Sequence, residues 1–229
     1  MSTREYPKVW NRFERVVEGE RTLKFEIEDI PPSSWSIAVE FMLGNYIRED
    51  VWWATTQDLD AVQEYRVLLS SIIRQRMSLA CFLAEGDGTG RTLVAVNMCM
   101  PQEKGRFVEH NPPKTKAGLL SLRMFVEAMK VTAIYDKYDV NAYLMGAGLS
   151  VAPEYRRLGI AVELLRNLSK ESGFRATGGI FTGAKVQKSA ETAGMECLYQ
   201  TPYKNFGKKC KITFDTDTKN LKFFAIECK

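Results

Sequence analysis

The residues best placed to do chemistry lie where an apolar run, Leu144-Met145-Gly146-Ala147-Gly148-Leu149-Ser150-Val151, gives way to Pro153-Glu154-Tyr155-Arg156-Arg157-Leu158-Gly159-Ile160-Ala161. The run reads as a strand. Beyond it Leu158, Ala161, Leu165 and Leu168 recur at three- and four-residue steps, with Glu163, Arg166, Asn167 and Lys170 on the other side, so a helix must start there. A strand that feeds a helix through a glycine-bearing loop gathers unpaired backbone N–H groups and the positive end of a helix dipole at one point, which is a site for an anion. Gly159 matters because a side chain would obstruct a phosphate's approach to that backbone.

Several anion-binding and metal chemistries are excluded. A P-loop closes its turn with Gly-Lys-Ser or Gly-Lys-Thr, and no such triplet follows this strand. Gly146-Ala147-Gly148 begins like a dinucleotide fingerprint, but the third glycine would fall at Val151, still inside the strand. The five cysteines are widely spaced, no Cys-x-x-Cys pair occurs, and His110 is the only histidine, so free thiols are expected and no metal site. The net charge of +4 is small and dispersed, which argues against nucleic acid and would still help attract a polyanion. No stretch approaches the roughly 18 apolar residues of a membrane span. Residues 1–15 are polar and charged rather than a secretory signal, which makes the cytoplasm the expected compartment.

The elements that must position this junction follow from periodicity. Residues 23–30 alternate as a strand with Leu23, Phe25 and Ile27 on one face, ended by Pro31 and Pro32. Ser33 or Ser34 caps a predicted helix carrying Ile37, Phe41 and Met42, with Glu40 opposite. A second helix is predicted over 58–76. Strands over 78–85 and 92–100 are joined by the glycine-rich residues 86–90. Residues 104–116 read as a loop, and 119–138 as a long helix with Leu119, Leu122, Val126, Met129 and Ala133 at helical spacing. A strand at 179–183, a helix at 186–193 and a last strand at 221–228 complete one continuous domain over 1–229, expected to be a monomer.

Residues 156–161 fit the signature of the GNAT superfamily: Gln or Arg, two residues, Gly, one residue, then Gly or Ala. Val-x-Pro precedes it at 151–153, and Gly194-Met195 stands where Gly-Phe is common. In order of elements, in Tyr46-Ile47-Arg48-Glu49-Asp50 and in Gly148-Leu149-Ser150-Val151, the chain resembles the insect arylalkylamine N-acetyltransferases. The resemblance implies a mixed α/β fold with a mainly antiparallel sheet of about seven strands and helices on both faces. It also implies transfer of an acetyl group from acetyl-CoA to a small primary amine by direct attack. Leu149, Ser150 and Val151 would hold the pantetheine arm. Arg156, Arg157, Leu158, Gly159, Ile160 and Ala161 would cradle the pyrophosphate, and an N–H near Leu149 or Val151 would meet the developing oxyanion.

An alkyl ammonium must lose a proton before it attacks. In the insect enzymes a Glu after the first strand is taken as the base, and alignment on Pro32 puts Ser33 there, leaving Glu49 and Asp50 as replacement bases. Thr182 and Tyr203 are candidate catalytic hydroxyls, Tyr203 for protonating the departing thiolate, while Val186 replaces a family serine. Ser33, Tyr46 and Trp52, with Trp53, are candidate acceptor contacts. His110 lies in a loop able to close over the acceptor, and Lys204, Lys208 and Lys209 read as a solvated basic turn. Alternatives of another class are a CoA-binding protein without catalysis and an acetyltransferase for a protein or peptide amine.

Overall fold

The computed structural model describes residues 5–17, 19, 21–84, 90–106, 112–171 and 173–228. The chain opens with a hairpin, β1 (Val9–Val17) and β2 (Arg21–Asp29), paired in register from Val9↔Glu28 to Val17↔Arg21. The strand expected over 23–30 is β2, whereas β1 is a strand that the sequence pattern does not predict. On β1, Phe13, Arg15 and Val17 turn inward while Arg12, Glu14 and Val16 are exposed. Charge on the outer face suits an edge strand, where unpaired amides would otherwise recruit another chain.

A 3-10 turn at Pro32–Ser34 leads into α1 (Trp35–Glu49), then α2 (Val51–Thr56), α3 (Ala61–Ile73), β3 (Leu79–Ala84) and β4 (Arg91–Glu103). Next come α4 (Lys116–Val131), α5 (Ile134–Lys137), β5 (Ala142–Val151), α6 (Ile160–Glu171) and β6 (Ala176–Phe181). The chain ends through α7 (Ala184–Thr192), β7 (Glu196–Pro202), α8 (Tyr203–Cys210) and β8 (Asn220–Glu227). Among the described residues the sheet has eight strands in the order β1-β2-β3-β4-β5-β6-β8-β7, one more than the expected seven or so, and every neighbouring pair is antiparallel except β5 with β6. The basic turn expected around residue 204 is the amphipathic α8, which buries Tyr203 and Phe206 and leaves its lysines outside.

Alternation along the strands gives each face its own core. Ala80, Phe82, Val96 and Met98 pack under α1 and α3 through Met42, Leu43, Ile47, Leu69 and Ile72. On the opposite face Leu79, Cys81, Ala95 and Cys99 pack under α6 through Ile160, Leu164 and Leu168. On α4 the buried stripe is Ala117, Leu120, Met124 and Ala128, whereas the predicted Leu119 and Leu122 are 50% and 38% exposed. The core face is therefore rotated from the predicted one, with Leu120 and Met124 between Ala117 and Ala128. Likewise Ile37 on α1 is exposed, and Ala38 and Val39 take the core. No described helix is long and apolar enough to cross a membrane.

Candidate active site

The parallel pair β5/β6 is joined only at Leu144↔Thr177, Met145↔Gly178 and Gly146↔Gly179. Immediately afterwards β5 bulges: against β4, Cys99 faces Gly146 and Met98 faces Gly148, leaving Ala147 as an extra residue. A bulge bends and twists its strand, so β5 stays with β4 as far as Ala95↔Val151 and parts from β6. In an antiparallel ladder alternate residues point N–H and C=O away from the partner. Beyond Gly146 those groups on β5 therefore face a gap instead of a strand. The cleft formed there, mouth included, is ≈ 490 Å³. Its lining comes from both faces of the sheet, with Tyr46 of α1 on one and Leu165, Leu168 and Val186 of α6 and α7 on the other. At Gly148 a Cβ would lie 3.2 Å from the Tyr46 ring and 3.0 Å from Met42, so glycine is what admits the tyrosine to the strand.

The junction predicted to bind an anion lies past the end of β5. After a 3-10 turn at Pro153–Tyr155 the backbone twists through positive φ at Arg157 (66°) and Gly159 (76°). The Gly159 carbonyl accepts the first helical bond, from the Glu163 N–H at 3.1 Å, so the amides that follow it point out of the helix end. Arg156 faces inward: its Nε donates to the Val151 carbonyl at 3.0 Å and an Nη donates to Glu49 at 2.8 Å. Arg15 reaches across from β1, its Nε donating to the Leu158 carbonyl at 2.9 Å and an Nη to Glu163 at 3.0 Å.

On the other side of the gap, α1 ends in Asp50, which is 6% exposed and caps α2 by accepting the Trp52 N–H at 3.0 Å. Its second oxygen is buried with no hydrogen bond of ordinary geometry. Burial pushes the carboxyl up to about 6, opposed by the Trp52 amide and by the neighbouring Tyr46 hydroxyl. Burial, reinforced by the Asp50 charge, in turn holds the hydroxyls of Tyr46, Tyr65 and Tyr203 well above the ordinary phenol range. One carboxylate thus sits among three tyrosines from α1, α3 and α8, and Tyr46 alone of the three lines the cleft. A second polar group waits at the cleft: Asn97 of β4 is 1% exposed, its Nδ2 is unpartnered, and it lies on the α6 face beside Ala95 and Cys99.

No family model matches the sequence, and no curated protein matches it. Solved structures do. A protein named arylalkylamine N-acetyltransferase 7, from the yellow fever mosquito Aedes aegypti, superposes with a TM-score of 0.89 over 100% of this chain and 98% of its own, at 22% identity. The chain has the GNAT fold. Arylalkylamine N-acetyltransferase 2 of the same mosquito gives 0.75 over 90% and 99%, at 14% identity. A polyamine N-acetyltransferase of Drosophila melanogaster, which forms N-acetylagmatine, gives 0.71 over 89% and 99%, at 13%.

Within this GNAT fold the nine residues of the anticipated cofactor site converge. Leu149, Ser150 and Val151 form the free edge of β5, with Ser150 turned into the interior, and Arg156, Arg157, Leu158, Gly159, Ile160 and Ala161 form the loop and first turn of α6. The anticipated acceptor residues do not stay together. Ser33 is exposed in the turn before α1, and Tyr46 lies thirteen residues further along the chain, ~20 Å of helix away. Glu49 is exposed and committed to Arg156. Trp52 is 2% exposed and packs edge-on against Phe206 and Phe214, a core contact behind the cleft. Thr182 lines the cleft at the end of β6, and its carbonyl accepts the Tyr203 hydroxyl at 2.8 Å, so that proton is held by backbone. His110 lies outside the described residues. Asn97 was missed because an Asn in an apolar strand carries no sequence signal of its own. Among the described residues no cluster suits a metal ion, and the cysteines are unpaired.

Proposed function

We propose that this chain is an acetyl-CoA-dependent N-acetyltransferase acting on a small primary amine, arylalkylamine-like, by direct transfer. The observation that carries the reading is Asp50: a buried carboxylate, raised by burial to about 6, that adjoins Tyr46, and Tyr46 lines the break in the sheet leading to the proposed anion-binding loop. The free edge of β5 fits an extended amide-bearing chain, and the amides after Gly159 fit a pyrophosphate; acetyl-CoA has both.

Asp50 is ionised at neutral pH and takes a proton from the entering ammonium through the Tyr46 hydroxyl, which lines the cleft. The free amine attacks the thioester carbon. Edge amides of β5 and the Asn97 Nδ2 supply donors for the developing oxyanion. The C–S bond breaks, and Tyr46, kept protonated by burial, gives its proton to the departing sulfur and is refilled from Asp50. The attacking nitrogen loses its remaining extra proton to solvent, so that amide, CoA thiol and one released proton balance the reaction. An aromatic wall at Tyr46 and a single buried carboxylate suit a monocation with an apolar body.

The test is release of CoA thiol from acetyl-CoA against arylalkylamines, agmatine and other polyamines, and short peptides. Turnover fastest with arylalkylamines is expected. Tight CoA binding with no turnover on any amine would overturn the enzymatic reading.

A further inference from the structure

The loop proposed to hold the pyrophosphate contains a contradiction in charge. Glu163 lies in the first turn of α6, and its side chain is largely buried there. An acidic residue at this end of a helix favours the helix itself, but it opposes a dianionic ligand docked on the same amides. Arg15 answers it from the far end of the sheet. Its guanidinium donates to Glu163 at 3.0 Å and to the Leu158 carbonyl at 2.9 Å, and a Cβ on Gly159 would lie 3.5 Å from its nearer nitrogen. It stacks over Phe13 at 4.7 Å, on the inward face of β1 between Phe13 and Val17. Arg166, the other cation on Glu163, is farther away at 3.6 Å. Nothing in the packing of β1 on β2 calls for a cation at this position; what it meets is the loop.

We infer that Arg15 is a positioning residue for the CoA pyrophosphate: it fixes the loop through Leu158 and cancels the Glu163 charge, leaving a net positive rim at the amides. The inference rests on the reading that this loop binds pyrophosphate. It predicts that Arg15 matters only for ligands that carry that group, and that its loss is repaired by removing the acid it neutralises.

The experiment is titration of wild type, Arg15→Ala, Glu163→Gln and the double variant with CoA and, separately, with pantetheine, which lacks the pyrophosphate, with melting curves to establish folding. Arg15→Ala should weaken CoA by roughly five- to tenfold and leave pantetheine unchanged. Glu163→Gln should bind CoA as well as or better than wild type, and the double variant should recover most of the loss. Equal loss for both ligands, or no recovery in the double variant, overturns the role of Arg15. Wild type that fails to bind CoA at all overturns the pyrophosphate reading itself.

Discussion

The two walls of the cleft are built on different principles. The wall we propose for the cofactor is backbone: a bulge at Ala147, a free strand edge, two residues at positive φ and a helix N-terminus. The wall we propose for the acceptor is side chain: Tyr46 at the cleft, backed by the buried Asp50 carboxylate and by Tyr65 and Tyr203 from α3 and α8. Backbone geometry is fixed by local sequence and holds its shape without a ligand. A side-chain cluster depends on distant elements packing correctly and is expensive to bury, so it costs stability where it supplies chemistry.

That contrast can be broken by substitution. The largest effect is expected at Asp50: Asp50→Asn should lower kcat/KM for the amine by about 10²–10⁴-fold while CoA affinity stays unchanged. Equal loss in both would unite the two walls. On the other wall Gly159→Val, forced into left-handed backbone at about 1–2 kcal/mol, should weaken CoA by at least roughly tenfold and leave folding intact. The amine rate of wild type should rise with pH through an acid limb near 6, the value of Asp50, and Asp50→Asn should lose that limb.

Stability sharpens the comparison further. The Asp50 carboxyl is raised in the folded state from 3.8 to about 6. Below pH ~4 it is neutral folded or unfolded; as pH rises through 6 the folded protein must ionise a buried group, and stability present at low pH is lost. Asp50→Asn keeps an oxygen for the Trp52 amide and should therefore be more stable by on the order of 2 kcal/mol at pH 8, with no gain at pH 4, read from thermal melts. The smallest effect is expected at Tyr203→Phe, which strands the Thr182 carbonyl and should cost about 1 kcal/mol with CoA binding unaltered.

The same division governs what could be read from the sequence. Residues 156–161 announce the loop because Gly159, a strand before and an amphipathic helix after are all local, and the structure places them accordingly. Asp50 stood beside Glu49 as an equal candidate; only the packing of α2 and α8 buries one and leaves the other exposed on Arg156. Alignment on Pro32 points to Ser33, which stands in the exposed turn before α1, while Tyr46 at the other end of that helix lines the cleft, because proline marks where a helix begins and not which of its turns meets the cleft. The strand β1 was hidden by its own chemistry, since Arg15 interrupts the apolar face that would have shown the alternation. The face of α4 differs from the predicted one because apolar residues occur all round the helix, Leu119 and Leu122 as well as Leu120 and Met124, so that periodicity alone does not pick the side that packs.

The three residue pairs between β5 and β6 make the sheet two leaves stitched at one short seam, five strands on one side and three on the other. A ligand lying along the open edge of β5 would extend that seam as an inserted splint, touching α6 and α7 as well. Occupancy should then be felt mechanically, as slower amide exchange in β6 and β8, elements that carry no catalytic group and owe their quiet to the molecule lodged between the leaves.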